Sequence, residues 1–169
     1  QFTCAGWRET NNLVKAAFIG KTRVEHKHGV SYEGRGEHGY MHLPNGMSIR
    51  YAEVEYDEDG GISYLRRLKK KKDGETRKRT RLYGGLLVEN RTQALSRVLL
   101  ADWIVAISTE FPDLQLVMTT HDEVVFVAKI GRGAMVKKRI VEIMTTPPDW
   151  MPDLPLNVDW KVSRIYEKG

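Results

Sequence analysis

The chain has 169 residues, 41% hydrophobic and 29% charged, enough for one compact domain with a core and unlike a disordered tail. No apolar run approaches the roughly 18–20 residues of a membrane span, no secretory leader is visible after Gln1, and Cys4 is the single cysteine, so no internal disulfide can form and a reducing, cytoplasmic setting is expected. The net charge of +5 is uneven: residues 66–81, RRLKKKKDGETRKRTR, hold ten of the 27 Lys and Arg and two of the 22 acids, which leaves 17 basic and 20 acidic residues elsewhere.

In chain order, WRETNNLVKAAFIGKT predicts a helix, with Trp7, Leu13, Val14, Ala17 and Phe18 on one face and Gly20 as its stop. A stretch rich in Gly and His follows. Its His26, His28, His38 and His42 have no accompanying Cys or carboxylate cluster, so zinc is not expected. LPNGMSIRY reads as a turn and then a strand, with Asn45-Gly46 as a hairpin signal. SIRYAEVEY alternates as a strand, DEDGG is a turn, and ISYLRRL is a return strand. The basic segment is next. It reads either as a surface that attracts a phosphate backbone or as a solvated, mobile loop.

Residues 84–111 predict a long helix ended by Pro112. Ala94, Val98, Ala101 and Val105, with Leu95, Leu99 and Ala106 beside them, form its expected core stripe. Glu89, Gln93 and Arg97 form a polar row at intervals of four. Two strands follow, near 114–119 and 123–129. GRGAMVKKRIVEIMTT predicts an amphipathic helix with Val136, Ile140, Ile143 and Met144 inward. PPDWMPDLP is a rigid connector, and LNVDWKVSRIY is read as a closing strand. The expected fold class is α+β, an antiparallel sheet with helices packed on one face.

Between the two late strands lies Thr119-Thr120-His121-Asp122-Glu123. A tight turn there would project His121, Asp122 and Glu123 from its tip. Two adjacent carboxylates suit a hard divalent cation such as Mg²⁺, which keeps water and phosphate ligands. An ordinary polar hairpin turn has the same composition, and spacing alone does not separate the two readings.

The wider pattern resembles a known family. YGGLLVENRTQALSRVLLADWI at 83–104, followed by TTHDEVVF, is similar to the C-terminal palm of family A DNA polymerases, especially phage-type ones. WRETNNLV looks like the helix that follows the fingers, LPNGMSIRY like the palm hairpin, and MTTPPDWMPDLPLNVDW with RIYEKG like the family's C-terminal end. On this resemblance residues 1–25 would be a helix connecting from the fingers. Residues 26–169 would be the C-terminal part of the palm, with a basic insertion near 66–81. Asp122 would be a catalytic carboxylate on Mg²⁺, Glu123 would support the metal, and His121 would lie by the primer terminus. Gln93 would touch the template–primer duplex from the minor groove, where similar acceptors on all base pairs let it check shape without reading sequence. Arg97 and Asn90 would help, and Lys70 and Lys71 of the insertion would grip duplex phosphates. Arg97-Val98 departs from the Arg-Asp that the family often carries, and Glu89 stands where related bacterial enzymes carry asparagine.

The family's motif A, with a second metal-binding aspartate, and motif B, which holds the incoming nucleotide, are not found in this sequence. The resemblance therefore implies half of a two-metal site. The expected partners are template–primer DNA, a dNTP, and a second chain or N-terminal portion carrying motifs A and B; no membrane partner is expected, and the setting would be the host cytoplasm if a phage encodes the chain. Two other classes stay open on the residues: a non-catalytic nucleic-acid-binding module that uses the basic segment, and a metal-dependent nuclease that uses Asp122 and Glu123.

Overall fold

The structure is a computed structural model. It describes residues 2–72 and 75–166, with side chains within 5–67 and 76–166. Its elements are α1 (Phe2–Ile19), β1 (Arg23–Glu25), β2 (Ser31–Arg35), β3 (His38–His42), β4 (Ser48–Tyr51), β5 (Glu55–Tyr56), β6 (Ile62–Lys72), β7 (Glu75–Leu82), α2 (Gly84–Glu110), β8 (Gln115–Thr120), β9 (Glu123–Val127) and α3 (Arg132–Thr145). Every strand pairing is antiparallel, so the α+β class is borne out. No helix among the described residues is long and apolar enough to cross a membrane.

The strands form three sheets, ordered β1-β2-β3-β4, β5-β6-β7 and β8-β9, where the sequence suggested one. SIRYAEVEY explains part of the difference. Glu53 has φ 48, a left-handed conformation that ends a strand. The segment read as one strand is therefore β4 in one sheet and β5 in the next. The chain also divides into two compact units, residues 1–95 and 96–169.

In the first unit, Val14, Ala17 and Phe18 of α1 are buried as expected, and so is Thr10. Trp7, expected on the same face, is 41% exposed. The Gly- and His-rich stretch holds two strands, β2 and β3, that periodicity did not pick out. Gly34 and Gly39 sit opposite each other in them. A β-carbon on Gly34 would collide with the Ala17 and Phe18 carbonyls, and one on Gly39 with the Phe18 ring. This glycine pair seats α1 on the sheet. Phe18 then packs against Tyr32 and Tyr51, with ring centroids 6.3 and 5.6 Å apart. The Asn45-Gly46 turn connects β3 and β4, with Gly46 at φ 82 and the Leu43 N–H donating to the Met47 carbonyl at 2.8 Å. The basic segment is not a loop. It forms most of β6 and β7, and their ladder runs from Ile62–Leu82 to Arg67–Arg77 before the register shifts.

In the second unit, Ile107, Leu114, Val136 and Ile140 form a buried cluster, with Phe111, Phe126, Ala128, Ile143, Met144 and Trp160 packed on it. The inward face predicted for α3 is borne out. The stripe predicted for α2 is borne out only in part. Val98 and Leu99 of that stripe are buried, as are Leu100 and Ile107 beside it, whereas Ala101 and Ala106 are exposed and Val105 is 65% exposed. From Val98 to Ile107 only Asp102 is charged, so periodicity had no polar side against which to define a face. The expected closing strand also fails: residues 156–166 form no strand. β8 and β9 accept no third strand among the described residues, and without a ladder partner alternation does not make a strand.

Candidate functional site

The acidic turn is built by β8 and β9. Their Val, Thr and Phe residues favour pleated structure, and Thr120 pairs directly with Glu123. His121 and Asp122 are therefore the whole of a two-residue connection. His121 has φ 53, in the left-handed region that histidine enters more readily than most residues. The hairpin is anchored at its other end, where Leu114 and Phe126 join the core. The Arg132 guanidinium grips both Asp113 oxygens, at 2.7 and 3.1 Å, and holds the Asp113 carboxyl below its ordinary pKa. Val117 lies where the β8–β9 register shifts.

His121, Asp122 and Glu123 are all exposed at this tip. The Tyr166 phenol donates to Glu123 Oε2 at 3.1 Å, which raises the Tyr166 pKa because the bond favours the protonated phenol. The sequence reading missed Tyr166, which it had placed in a closing strand. Among the described residues no group of three or more His, Cys, Asp or Glu is disposed to hold a metal. Asp122 and Glu123 are hard oxygen donors and fit part of a Mg²⁺ shell, which would need further carboxylate or phosphate oxygens.

A second feature lies wholly within the first unit. Ile49, Arg50, Tyr51, Tyr64, Asn90, Gln93 and Ala94 line a groove of about 390 Å³. Asn90 Nδ2 donates to the Tyr51 hydroxyl at 3.0 Å, and burial pushes the Tyr51 pKa up. Gln93 Nε2 donates to Glu89 Oε1 at 3.1 Å. Gln93 and Asn90 are thus brought together, along with Arg50, Tyr51 and Tyr64, which the sequence reading had not selected. Alternation in SIRY makes Tyr51 legible as a core residue but not as a partner of Asn90. Arg97 is exposed and falls in the second unit. The side chains of Lys70 and Lys71 lie outside the described residues. Three of the histidines have other work in the first unit: His42 bridges Glu33 and Ser48 at 2.8 and 2.7 Å, His38 Nδ1 accepts the Glu53 N–H at 3.2 Å, and His26 lies against Arg91. Burial and the Arg91 charge lower the pKa of His26.

Against known proteins, the chain is 30% identical over 167 residues, 96% of its length, to a DNA polymerase of Bacillus phage SP02. It spans 24% of the length of that relative. No family model matches the chain, and no solved structure matches it. This chain is therefore similar to about a quarter of a phage DNA polymerase.

Proposed function

We propose that the chain is the C-terminal palm part of a family A DNA-directed DNA polymerase, with His121-Asp122-Glu123 as its motif C. The observation that carries the reading is the two-residue turn that presents Asp122 and Glu123 side by side at an exposed tip, in a chain similar in sequence over 96% of its length to a stretch of a phage DNA polymerase. Asp122, exposed and without a side-chain partner among the described residues, is the metal ligand. Glu123 is oriented by Tyr166 and supports the site. His121 lies beside the primer end. When bound, Mg²⁺ supplies Lewis acidity and neutralises charge developing on the transferred phosphoryl group. Gln93 and Asn90 face the duplex minor groove, with Asn90 held by Tyr51. Arg97, Lys70 and Lys71 contact the duplex.

One aspartate does not complete a two-metal site. Motifs A and B therefore come from another portion or chain, which also binds the dNTP. Primer extension tests this with the chain alone and mixed with a chain that carries motifs A and B. Extension in the mixture only, abolished in Asp122→Ala, is the expected result. Extension by this chain alone would place a second carboxylate within it. DNA degradation by this chain alone would favour a nuclease.

A further inference from the structure

The β6–β7 hairpin separates its charge between two faces. Residues paired across an antiparallel ladder project to the same side, and successive residues to opposite sides. Ser63 with Arg81, Leu65 with Arg79 and Arg67 with Arg77 share one face. Ile62 with Leu82, Tyr64 with Thr80 and Arg66 with Lys78 share the other.

On the first face, the β7 arginines meet a row of acids at matching two-residue spacing. Arg77 lies 3.3 Å from Glu53, Arg79 lies 2.9 Å from Glu55, and Arg81 lies 3.5 Å from both Asp57 and Asp59. Arg79 also donates to the Glu53 carbonyl at 3.0 Å. This face is balanced within the chain.

The second face is different. Arg66 and Lys78 stand directly opposite each other. Both are exposed, and neither side chain has an ion pair or hydrogen bond among the described residues. Like charges directly opposite destabilise an antiparallel pair. Arg67 and Arg77 repeat the arrangement on the first face, where Glu53 relieves it. An anion from outside the chain would relieve it at Arg66 and Lys78. Among the described residues of that face, Ile62 and Leu82 are buried and Tyr64 is half-buried with its ring against Tyr51, so none of these three stands out to insert into a lipid surface.

The geometry points to the Arg66–Lys78 face as a binding surface for the phosphodiester backbone of nucleic acid, with the acids at 53–59 holding Arg77, Arg79 and Arg81 out of that contact. Such binding is sequence-independent and releases counterions. It rests on the polymerase reading only for the kind of nucleic acid, and its test uses neither nucleotide nor metal, so its failure is distinguishable from failure of the Asp122 reading.

The experiment is fluorescence anisotropy of a short labelled DNA duplex with the full chain across a range of salt. Replacing both cations, Arg66→Gln with Lys78→Gln, should lower the slope of log affinity against log salt by about 1.8, at about 0.9 for each phosphate no longer neutralised. Arg77→Gln with Arg79→Gln should leave the slope unchanged. Glu53→Gln with Glu55→Gln should free two arginines and raise both affinity and slope. Circular dichroism melting of each variant separates weaker DNA binding from unfolding. Equal drops from the two cation pairs would overturn the inference, because net charge rather than one face would then govern binding. Unchanged binding in the Arg66/Lys78 variant, or binding to phosphatidylserine vesicles but not to duplex, would overturn it as well.

Discussion

Tyr166 donates its phenolic hydrogen to Glu123 Oε2 at 3.1 Å, across 43 residues of sequence. The last described segment of the chain is thereby tied to the acidic turn. The bond needs a protonated phenol, so the folded-state pKa of Tyr166 stands above its ordinary value. Its contribution is present below the unfolded pKa of about 10 and is lost as pH rises through the folded value. Burial raises the pKa values of Tyr32 and Tyr51 as well, so ultraviolet difference titration should show several late-ionising tyrosines, one fewer in Tyr166→Phe, and one returning toward the ordinary range in Glu123→Gln. No difference between wild type and Glu123→Gln would mean that the bond does not form in solution.

The Asn90–Tyr51 bond at 3.0 Å joins α2 to β4 at the groove. Tyr51→Phe and Asn90→Ala, combined in a double-mutant cycle, should give a coupling of about 0.5–1.5 kcal/mol. Urea denaturation reads it. Additive effects would show that the two side chains act independently.

The seat of α1 is tested by Gly39→Ala. A β-carbon there meets the Phe18 ring, in a core where overpacking typically costs about 1–3 kcal/mol. A loss of that size in chemical denaturation is expected, and Gly39→Ala combined with Phe18→Leu should recover part of it. A neutral Gly39→Ala would mean that the helix rides higher on the sheet.

Arg132 depresses the pKa of Asp113 through its paired hydrogen bonds. The sign follows from the depressed carboxyl: the contribution is present above the unfolded aspartate pKa of about 3.9 and fades as pH falls through the folded value. Arg132→Gln should therefore be less stable than wild type at neutral pH, with the difference shrinking below that pKa. Thermal melts across the acid range give the answer, and a difference that persisted unchanged at low pH would assign the effect to packing of Arg132 on Phe111.

Much of the second unit was legible in the sequence. Val136 and Ile140 recur at helical spacing and are buried. Pro112 ends α2, and the polar patch at 119–123 falls between two apolar runs that pair as β8 and β9. The first unit was less legible. Gly and His dilute the alternation in β2 and β3, although β3 alternates in burial throughout and β2 does from Tyr32 onward. The basic segment was not legible as strand, reading either as a phosphate-attracting surface or as a solvated loop, because lysine is a poor strand former, yet the β6–β7 ladder organises it. Val105 was misplaced because an almost wholly apolar turn of helix offers no polar reference.

Local order reads directly from neighbouring residues: where helices and strands run, where they turn, and that Asp122 and Glu123 sit together. Such properties depend on propensity and on periods of two or 3.6 residues, which a linear chain displays. The assignment of partners does not. Alternation places Arg77, Arg79 and Arg81 on one face, but only the sheet shows that Glu53, Glu55, Asp57 and Asp59 meet them there. The bonds of Tyr166 to Glu123 and of Asn90 to Tyr51 span 43 and 39 residues. A period says which residues share a face; only the packed chain decides what covers it.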